Sequence, residues 1–161
     1  MTTILEADDN DFEALIAGRA CQGYDIADGG IESVETLSML KAFAASVRAD
    51  FAPAAWLIAK DSKIVGMCSF IASPDSDGAL PIGYGIAPCF RGQGIATEAI
   101  GAIIDWARRH PDLRRITAET AVSNRPSQRV LEHNGFVRTG ERVDVEDGLL
   151  MCWARDVDRK C

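Results

Sequence analysis

A glycine-rich turn between an apolar run and a helical pattern constrains this chain more than any other feature. The run Ala79–Ala87 (ALPIGYGIA) is apolar enough for a buried strand, and Pro88 ends it because proline donates no ladder hydrogen bond. The sequence Arg91-Gly92-Gln93-Gly94-Ile95-Ala96 follows, and apolar residues then recur at helical spacing. We therefore expect a strand, a tight turn and a helix in succession.

The turn has the composition of an anion-binding site. Glycines at 92 and 94 and the alanine at 96 let backbone N–H groups approach a ligand closely, at a helix N-terminus that carries partial positive charge. Arg91 adds a full charge that can contact phosphate oxygens through two N–H groups. We therefore predict a pyrophosphate cradle, and its candidate residues are Arg91, Gly92, Gln93, Gly94, Ile95, Ala96 and Thr97.

Two other phosphate-binding patterns fit this turn poorly. Dinucleotide-binding folds use G-x-G-x-x-G after the first strand of a βαβ unit, but here Thr97 stands at the third glycine position and about half the chain precedes the turn. A P-loop would need Gly-Lys-Ser or Gly-Lys-Thr after the turn, and the sequence has neither. A nicotinamide-dependent oxidoreductase is therefore disfavoured.

Periodicity and turn residues predict about seven strands and about four helices. Helices are expected to begin near Asp8 or Asp9, at Ser33, at Ile95 and at Asn124. The predicted strands are Thr2–Ala7, Ala54–Lys60, Lys63–Ala72, Ala79–Ala87, Arg115–Ala121, Phe136–Val145 and Leu149–Arg155. Residues 22–31 read as a loop, and Asp61-Ser62 suits a two-residue hairpin. The length of 161 residues predicts one domain, spanning 1–161.

Charge and cysteine content exclude several classes of protein. The formal net charge of −7 repels nucleic acid and anionic lipid, so neither is expected as a partner. We expect no membrane segment or secretion signal either, because no apolar run is long enough. The five cysteines are widely spaced and form no metal-ligand pattern, which favours reduced thiols in the cytoplasm and no metal site.

A second motif lies about thirty residues after the turn. It reads Asn124-x-x-Ser127-x-x-Val130-Leu131-Glu132-x-x-Gly135-Phe136. Together with Arg91-x-x-Gly94-x-Ala96, it resembles the GNAT superfamily of N-acetyltransferases, and most of all the branch that contains the ribosomal-protein N-terminal acetyltransferases. The resemblance is strong from Ile82 to Phe136, and elsewhere it rests on the order of elements.

The resemblance implies a fold and a reaction. The fold is of the α/β (α+β) class, with a central mixed, mostly antiparallel sheet that is splayed between its fourth and fifth strands. Acetyl-CoA would lie in the gap, with its pantetheine arm along the backbone near Ile86. The acetyl group would pass directly to a primary amine, and the backbone N–H of Ile86 or Ala87 would polarise its carbonyl. Neither a metal nor a covalent nucleophile is implied.

Proton transfer is assigned by the same resemblance. The attacking amine must lose a proton, and Glu119 is the first candidate for the general base. The alternatives for Glu119 are a solvated strand residue or an ion pair with Arg114 or Arg115. Asn124 is expected either to hydrogen-bond the pantetheine arm or to cap a helix.

The general acid is harder to place. Many relatives carry a tyrosine seven residues after the asparagine, where this chain has Leu131. Ser127 is the candidate donor to the departing thiolate; otherwise water protonates it, and Ser127 is an ordinary residue of the first helical turn. His133 is expected to be structural or solvent-facing.

No sequence motif in this chain identifies the acceptor. The segments expected to surround it are acidic, which favours a cationic amine or else forms a solvated surface: Asp25, Asp28, Glu32, Glu35, Asp144, Glu146 and Asp147. A protein N-terminus, a lysine, a polyamine and an antibiotic amine all fit. Dimers are common among relatives, so a homodimer stays open. The alternative function is a non-catalytic acyl-CoA-binding sensor or regulatory module.

Overall fold

The computed structural model describes residues 1–157. Within them the strands are β1 (Thr2–Glu6), β2 (Asp25–Ile26), β3 (Ala55–Lys60), β4 (Lys63–Phe70), β5 (Ala79–Ile86), β6 (Arg115–Ala121), β7 (Val137–Asp144) and β8 (Gly148–Asp156). The helices are α1 (Asp9–Ala17), α2 (Val34–Arg48), α3 (Ile95–Arg108) and α4 (Arg125–His133). No helix of this part of the chain is long and apolar enough to cross a membrane.

The strands form one mixed sheet in the order β1-β3-β4-β5-β6-β8-β7, and β2 pairs with the start of β4. Neighbours are antiparallel except in the pairs β5–β6 and β2–β4. The predicted fold class is therefore confirmed. The prediction of a loop over residues 22–31 missed β2, because two residues are too few to show a period.

Local sequence sets the ends of these elements. The Asp8 carboxylate accepts a hydrogen bond from the Asp11 N–H at 3.1 Å, and the Asp11 carboxylate accepts one from the Asp8 N–H at 2.9 Å. This reciprocal pair is a capping box that begins α1. Asp61 and Ser62 have φ of 50° and 67°, the left-handed values that a tight two-residue hairpin requires.

The core forms where helices cover the sheet. One face of α3 is buried, as its periodicity predicts, and this face consists of Ile95, Ala99, Ile100, Ile103, Ile104 and Ala107. Helix α4 contributes Leu131 to the same core, and this residue is 0% exposed. The position at which many relatives carry a tyrosine is therefore part of the core here.

The sheet opens between β5 and β6. The two strands pair in parallel from Ala79 with Arg115 only as far as Ile82 with Ala118. Beyond that point β5 stays paired with β4 up to Ile86, while β6 stays paired with β8 up to Ala121. Each strand follows its outer neighbour, so a gap widens between their carboxyl ends. The splay predicted at this position is confirmed.

Gly66 of β4 lets the backbone of β5 lie unusually close. A Cβ at this residue would lie 2.3 Å from the Gly85 carbonyl oxygen and 3.2 Å from Ile86 Cα. We expect Gly66→Ala to force the two strands apart and to lower the free energy of unfolding by about 1–3 kcal/mol or more, measured by urea denaturation. Gly140→Ala in β7 is the control, because nothing lies within 4 Å of its Cβ position. Equal stability of the two variants would contradict the close packing.

Candidate active site

The gap between β5 and β6 opens into a groove of about 820 Å³. Its walls are the end of β5, the glycine turn, the start of α3 and one face of α4. The groove gathers most of the predicted cofactor-binding residues, namely Ile86, Arg91, Gly92, Gly94, Ile95, Ala96, Thr97 and Asn124. Gln93 does not line it. Two motifs separated by some thirty residues thus meet across one groove.

The glycine turn presents bare backbone to the groove. Gly92 and Gly94 have φ of 77° and 76°, and nothing lies within 4 Å of a Cβ at either residue. Gly94 is the N-cap of α3, and no side chain caps this helix. The first N–H groups of α3 therefore lack the side-chain acceptor that most helix starts provide, and an anion could take its place.

Two arginines add positive charge to opposite walls. Arg91 donates from Nε to the Ile86 carbonyl oxygen at 3.1 Å, which holds its side chain beside the end of β5. Arg129 lines the α4 wall together with His133, one helical turn away. The sequence reasoning missed Arg129, although its spacing of four from His133 places both on one face of a helix. His133 is exposed where it lines the groove, in agreement with the prediction of a structural or solvent-facing position.

The backbone N–H and C=O groups of successive β5 residues point alternately toward β4 and toward the gap. The Ile71 N–H donates to the Pro81 carbonyl oxygen at 2.9 Å, and the Ala87 N–H donates to the Val65 carbonyl oxygen at 2.7 Å. Because antiparallel pairing alternates along a strand, Tyr84 and Ile86 direct their backbone groups away from β4 into the gap. The prediction of Ala87 as a carbonyl-polarising donor is therefore wrong, since its N–H already donates to Val65, and the alternative donor, Ile86, stays a prediction.

A tyrosine and a serine meet across the mouth of the groove. Tyr84 Oη lies 2.7 Å from Ser127 Oγ, and it also lies within 3.2 Å of the Ser127 carbonyl oxygen. Burial raises the pKa of Tyr84 to about 12, although its hydrogen bond to Ser127 acts in the opposite direction. Sequence reasoning overlooked Tyr84. The available signal was an aromatic residue with a polar tip on β5, beyond the last residue paired with β6.

Asn124 caps α4. Its Oδ1 accepts a hydrogen bond from the Ser127 N–H at 3.3 Å, which is the helix-cap alternative. This bond places Ser127 in the first turn of the helix with its hydroxyl free to reach Tyr84. Asn124 therefore has a structural role here, and the residue also lines the groove.

Glu119 forms a two-contact ion pair with Arg142. Its Oε1 accepts from Arg142 Nη2 at 2.9 Å, and its Oε2 accepts from Arg142 Nε. The hydrogen bond to Glu119 raises the pKa of the Arg142 guanidinium. The alternative of an ion pair with Arg114 or Arg115 is wrong, because both carboxylate oxygens of Glu119 contact Arg142. Arg115 Nε pairs instead with Asp156 Oδ1 at 2.8 Å. Glu119 does not line the groove.

A smaller cavity adjoins the groove on the α2 side of the sheet. Its volume is about 160 Å³, and Glu32, Tyr84 and Gly85 line both spaces.

Asp144, another acidic residue expected near the acceptor, holds the turn between β7 and β8. It accepts hydrogen bonds from the backbone N–H groups of Asp147 and Glu146, which lower its pKa and hold the β7–β8 turn.

The described residues contain four cysteines that form no disulfide and no cluster of potential metal ligands. Cys21, Cys68, Cys89 and Cys152 are unpaired, while Cys161 lies outside the described residues. No group of three or more His, Cys, Asp or Glu residues within 1–157 is arranged to hold a metal ion.

Several known proteins are similar in sequence to about half of this chain. The Uncharacterized N-acetyltransferase YjdG of Bacillus subtilis is 36% identical over 84 residues, which are 51% of this chain and 50% of that protein. The Ribosomal-protein-serine acetyltransferase of Escherichia coli is 31% identical over 85 residues, 53% of this chain and 48% of that protein. The matched region thus spans about half the length of these curated relatives.

A solved structure supports the fold over the whole chain. It is that of RimL, a ribosomal L7/L12 α-N-protein acetyltransferase in complex with coenzyme A, with a TM-score of 0.76 and 23% identity. The alignment covers 99% of this chain and 96% of the RimL chain. Residues 3–137 also match the family described as the acetyltransferase (GNAT) domain. The chain therefore belongs to the GNAT acetyltransferase family.

Proposed function

We propose that the chain is a cytoplasmic N-acetyltransferase that moves the acetyl group of acetyl-CoA directly to a primary amine, either of a protein N-terminus or of a small molecule. The observation that carries the proposal is the uncapped start of α3, with Gly92 and Gly94 open to a groove that begins where β5 and β6 separate. One end of this groove suits a pyrophosphate, and the other presents a strand edge to an amide-containing arm.

The residues of the groove would divide the binding of acetyl-CoA between them. The backbone from Gly92 to Thr97 and the guanidinium groups of Arg91 and Arg129 would hold the phosphates. The backbone groups of Tyr84 that face the gap would pair with the pantetheine arm. The Ile86 N–H would also donate to the acetyl carbonyl oxygen as negative charge develops on it.

The transfer itself requires two proton movements. The neutral amine attacks the carbonyl carbon, a nitrogen–carbon bond forms, and the carbon–sulfur bond breaks. Ser127 is proposed to give a proton to the departing thiolate, since it lines the groove and its hydroxyl lies 2.7 Å from that of Tyr84. Glu119 is proposed to accept the proton of the amine through water. None of the similar proteins named above is described as a non-catalytic acyl-CoA sensor, which is the alternative function.

The reaction is tested by measuring thiol release from acetyl-CoA over a panel of amines and short peptides. Turnover with at least one acceptor is expected, together with acetylated product in the mass spectrum. Tight binding of coenzyme A with no turnover for any acceptor would overturn the enzyme proposal in favour of the sensor.

The glycine turn gives the sharpest prediction for the cofactor. We expect Gly94→Ala to weaken acetyl-CoA binding at least about tenfold by calorimetry, because the added methyl group projects into the groove and its backbone resists a φ of 76°. Gly148→Ala is the matched control, since Gly148 has a φ of 75° and equally open surroundings but is the first residue of β8, directly after the β7–β8 turn. Equal affinity of the two variants would refute the cradle.

Removing the Ser127 hydroxyl should slow the reaction. We expect Ser127→Ala to lower kcat about tenfold or more at neutral pH with little change in the KM for acetyl-CoA, because only proton donation is lost. Ser123→Ala, an exposed serine just before α4, is the control. An unchanged kcat would mean that water protonates the thiolate.

The role of Glu119 is separable from its ion pair. We expect Glu119→Gln to lower kcat about 100-fold at neutral pH if the carboxylate accepts the amine proton. Glu141→Gln removes a comparable exposed carboxylate, paired with Arg138, and should leave kcat unchanged. A kcat for Glu119→Gln equal to that of the control would assign Glu119 to the ion pair alone.

A further inference from the structure

The smaller cavity has a site-like lining that the binding of acetyl-CoA leaves unused. It lies between α2 and the strands β4 and β5, and its walls include the apolar side chains of Ile31, Leu40 and Met67. Because it shares Glu32, Tyr84 and Gly85 with the groove, a molecule inside it would meet the groove beside Ile86. That is the place where the acetyl carbonyl is proposed to lie.

A buried hydroxyl in the cavity lacks a partner. Ser69 is 2% exposed, lines the cavity from β4, and its Oγ makes no hydrogen bond within residues 1–157. Gly83 stands directly opposite it on β5, so no side chain covers the hydroxyl from that strand. An unsatisfied buried hydroxyl costs about 1–3 kcal/mol, a cost that a ligand could offset by supplying the hydrogen bond. Ser69 therefore points to a ligand with a polar group.

A carboxylate stands at the junction of the two spaces. Glu32 Oε1 lies 3.3 Å from the position that a Cβ on Gly85 would take, so the carboxylate group contacts β5 one residue before Ile86. Among the described residues, no lysine, arginine or histidine forms a salt bridge with Glu32. An unpaired carboxylate at the mouth of an apolar cavity favours a cation that carries an apolar body.

We propose that this cavity is the acceptor subsite and that it takes a compact primary amine in its ammonium form. Glu32 holds the ammonium group, and Ser69 forms a hydrogen bond with a polar group on the rest of the amine molecule. The volume of about 160 Å³ admits only a short body, such as that of an amino alcohol or of the first residue of a peptide. The proposal rests on the proposed acetyl transfer.

The proton balance defines the role of Glu32. The bound ammonium loses one proton to water, and the neutral nitrogen then attacks the acetyl carbonyl carbon. The carbon–sulfur bond breaks, the new amide nitrogen loses its second proton, and the thiolate takes one proton, so one proton is released per turnover. Because a carboxylate stabilises the ammonium form, Glu32 is a binding residue and raises the pKa of the bound amine.

The first test compares Glu32→Gln with Glu35→Gln, an exposed glutamate nearby that lines neither space. For Glu32→Gln we expect the KM for the amine to rise at least about tenfold, with kcat at high pH retained. The rising limb of kcat should also move to lower pH, because the bound amine loses its stabilising carboxylate. A lower kcat at every pH with an unchanged KM, or no difference from the control, would overturn the proposal.

The second test fills the cavity. A Cβ on Gly83 would make only an ordinary contact with the Ile71 side chain at 3.6 Å, so Gly83→Ala should fold normally. Gly83 lines the cavity and not the groove. We expect a higher KM for the amine and an unchanged affinity for acetyl-CoA, whereas an unchanged KM for every acceptor would overturn the proposal.

The acceptor panel distinguishes the remaining outcomes. It contains ethanolamine, propylamine, spermidine and a peptide with a free N-terminal serine. Ser69→Ala should remove a preference for ethanolamine over propylamine, and a lower KM for the peptide than for ethanolamine would identify a protein N-terminus as the source of the same chemistry. If no acceptor gives turnover, the proposed function itself fails. Turnover that prefers spermidine and is insensitive to all three variants would overturn the subsite alone.

Discussion

The active site depends on the point at which β5 and β6 stop pairing. Backbone N–H and C=O groups inside a protein require partners, and a parallel pair that ends at Ile82 and Ala118 leaves those of Tyr84 and Ile86 facing a gap. The strands cannot close this gap without losing their antiparallel bonds to β4 and β8. The fold thus keeps a strand edge available for a ligand inside a sheet.

The two walls of the groove are fixed by packing far from the ligand. The buried face of α3 holds this helix on the sheet, so its uncapped N-terminus stays at the groove. Asn134, at the end of α4, donates from Nδ2 to the Thr97 carbonyl oxygen at 3.1 Å and to the Val130 carbonyl oxygen at 3.0 Å. This side chain ties α4 to the first turn of α3, and it thereby sets the distance between Ser127 and the glycine turn.

Sequence reasoning reached the features that are local in the chain. The turn from Arg91 to Ala96 and the α4 motif are read within a few residues, and so are the helix faces. Contacts between distant segments were missed, as with Tyr84 and Ser127, which lie 43 residues apart. One alternative for Glu119 was an ion pair with the arginines nearest in sequence, but four residues of strand separate Glu119 from Arg115 by about 13 Å. Arg142 reaches it because β7 folds back beside β8.

Leu131 belongs to the core, whereas a phenol lines the groove from another element. Leu131 completes the core beneath α4, so a hydroxyl at that position would be buried. Tyr84 brings a phenol hydroxyl to Ser127 from β5 instead, and its pKa of about 12 keeps it protonated at neutral pH. A neutral phenol can donate to the serine oxygen while the serine donates elsewhere. The pair therefore presents two hydroxyls to the groove, one from β5 and one from α4.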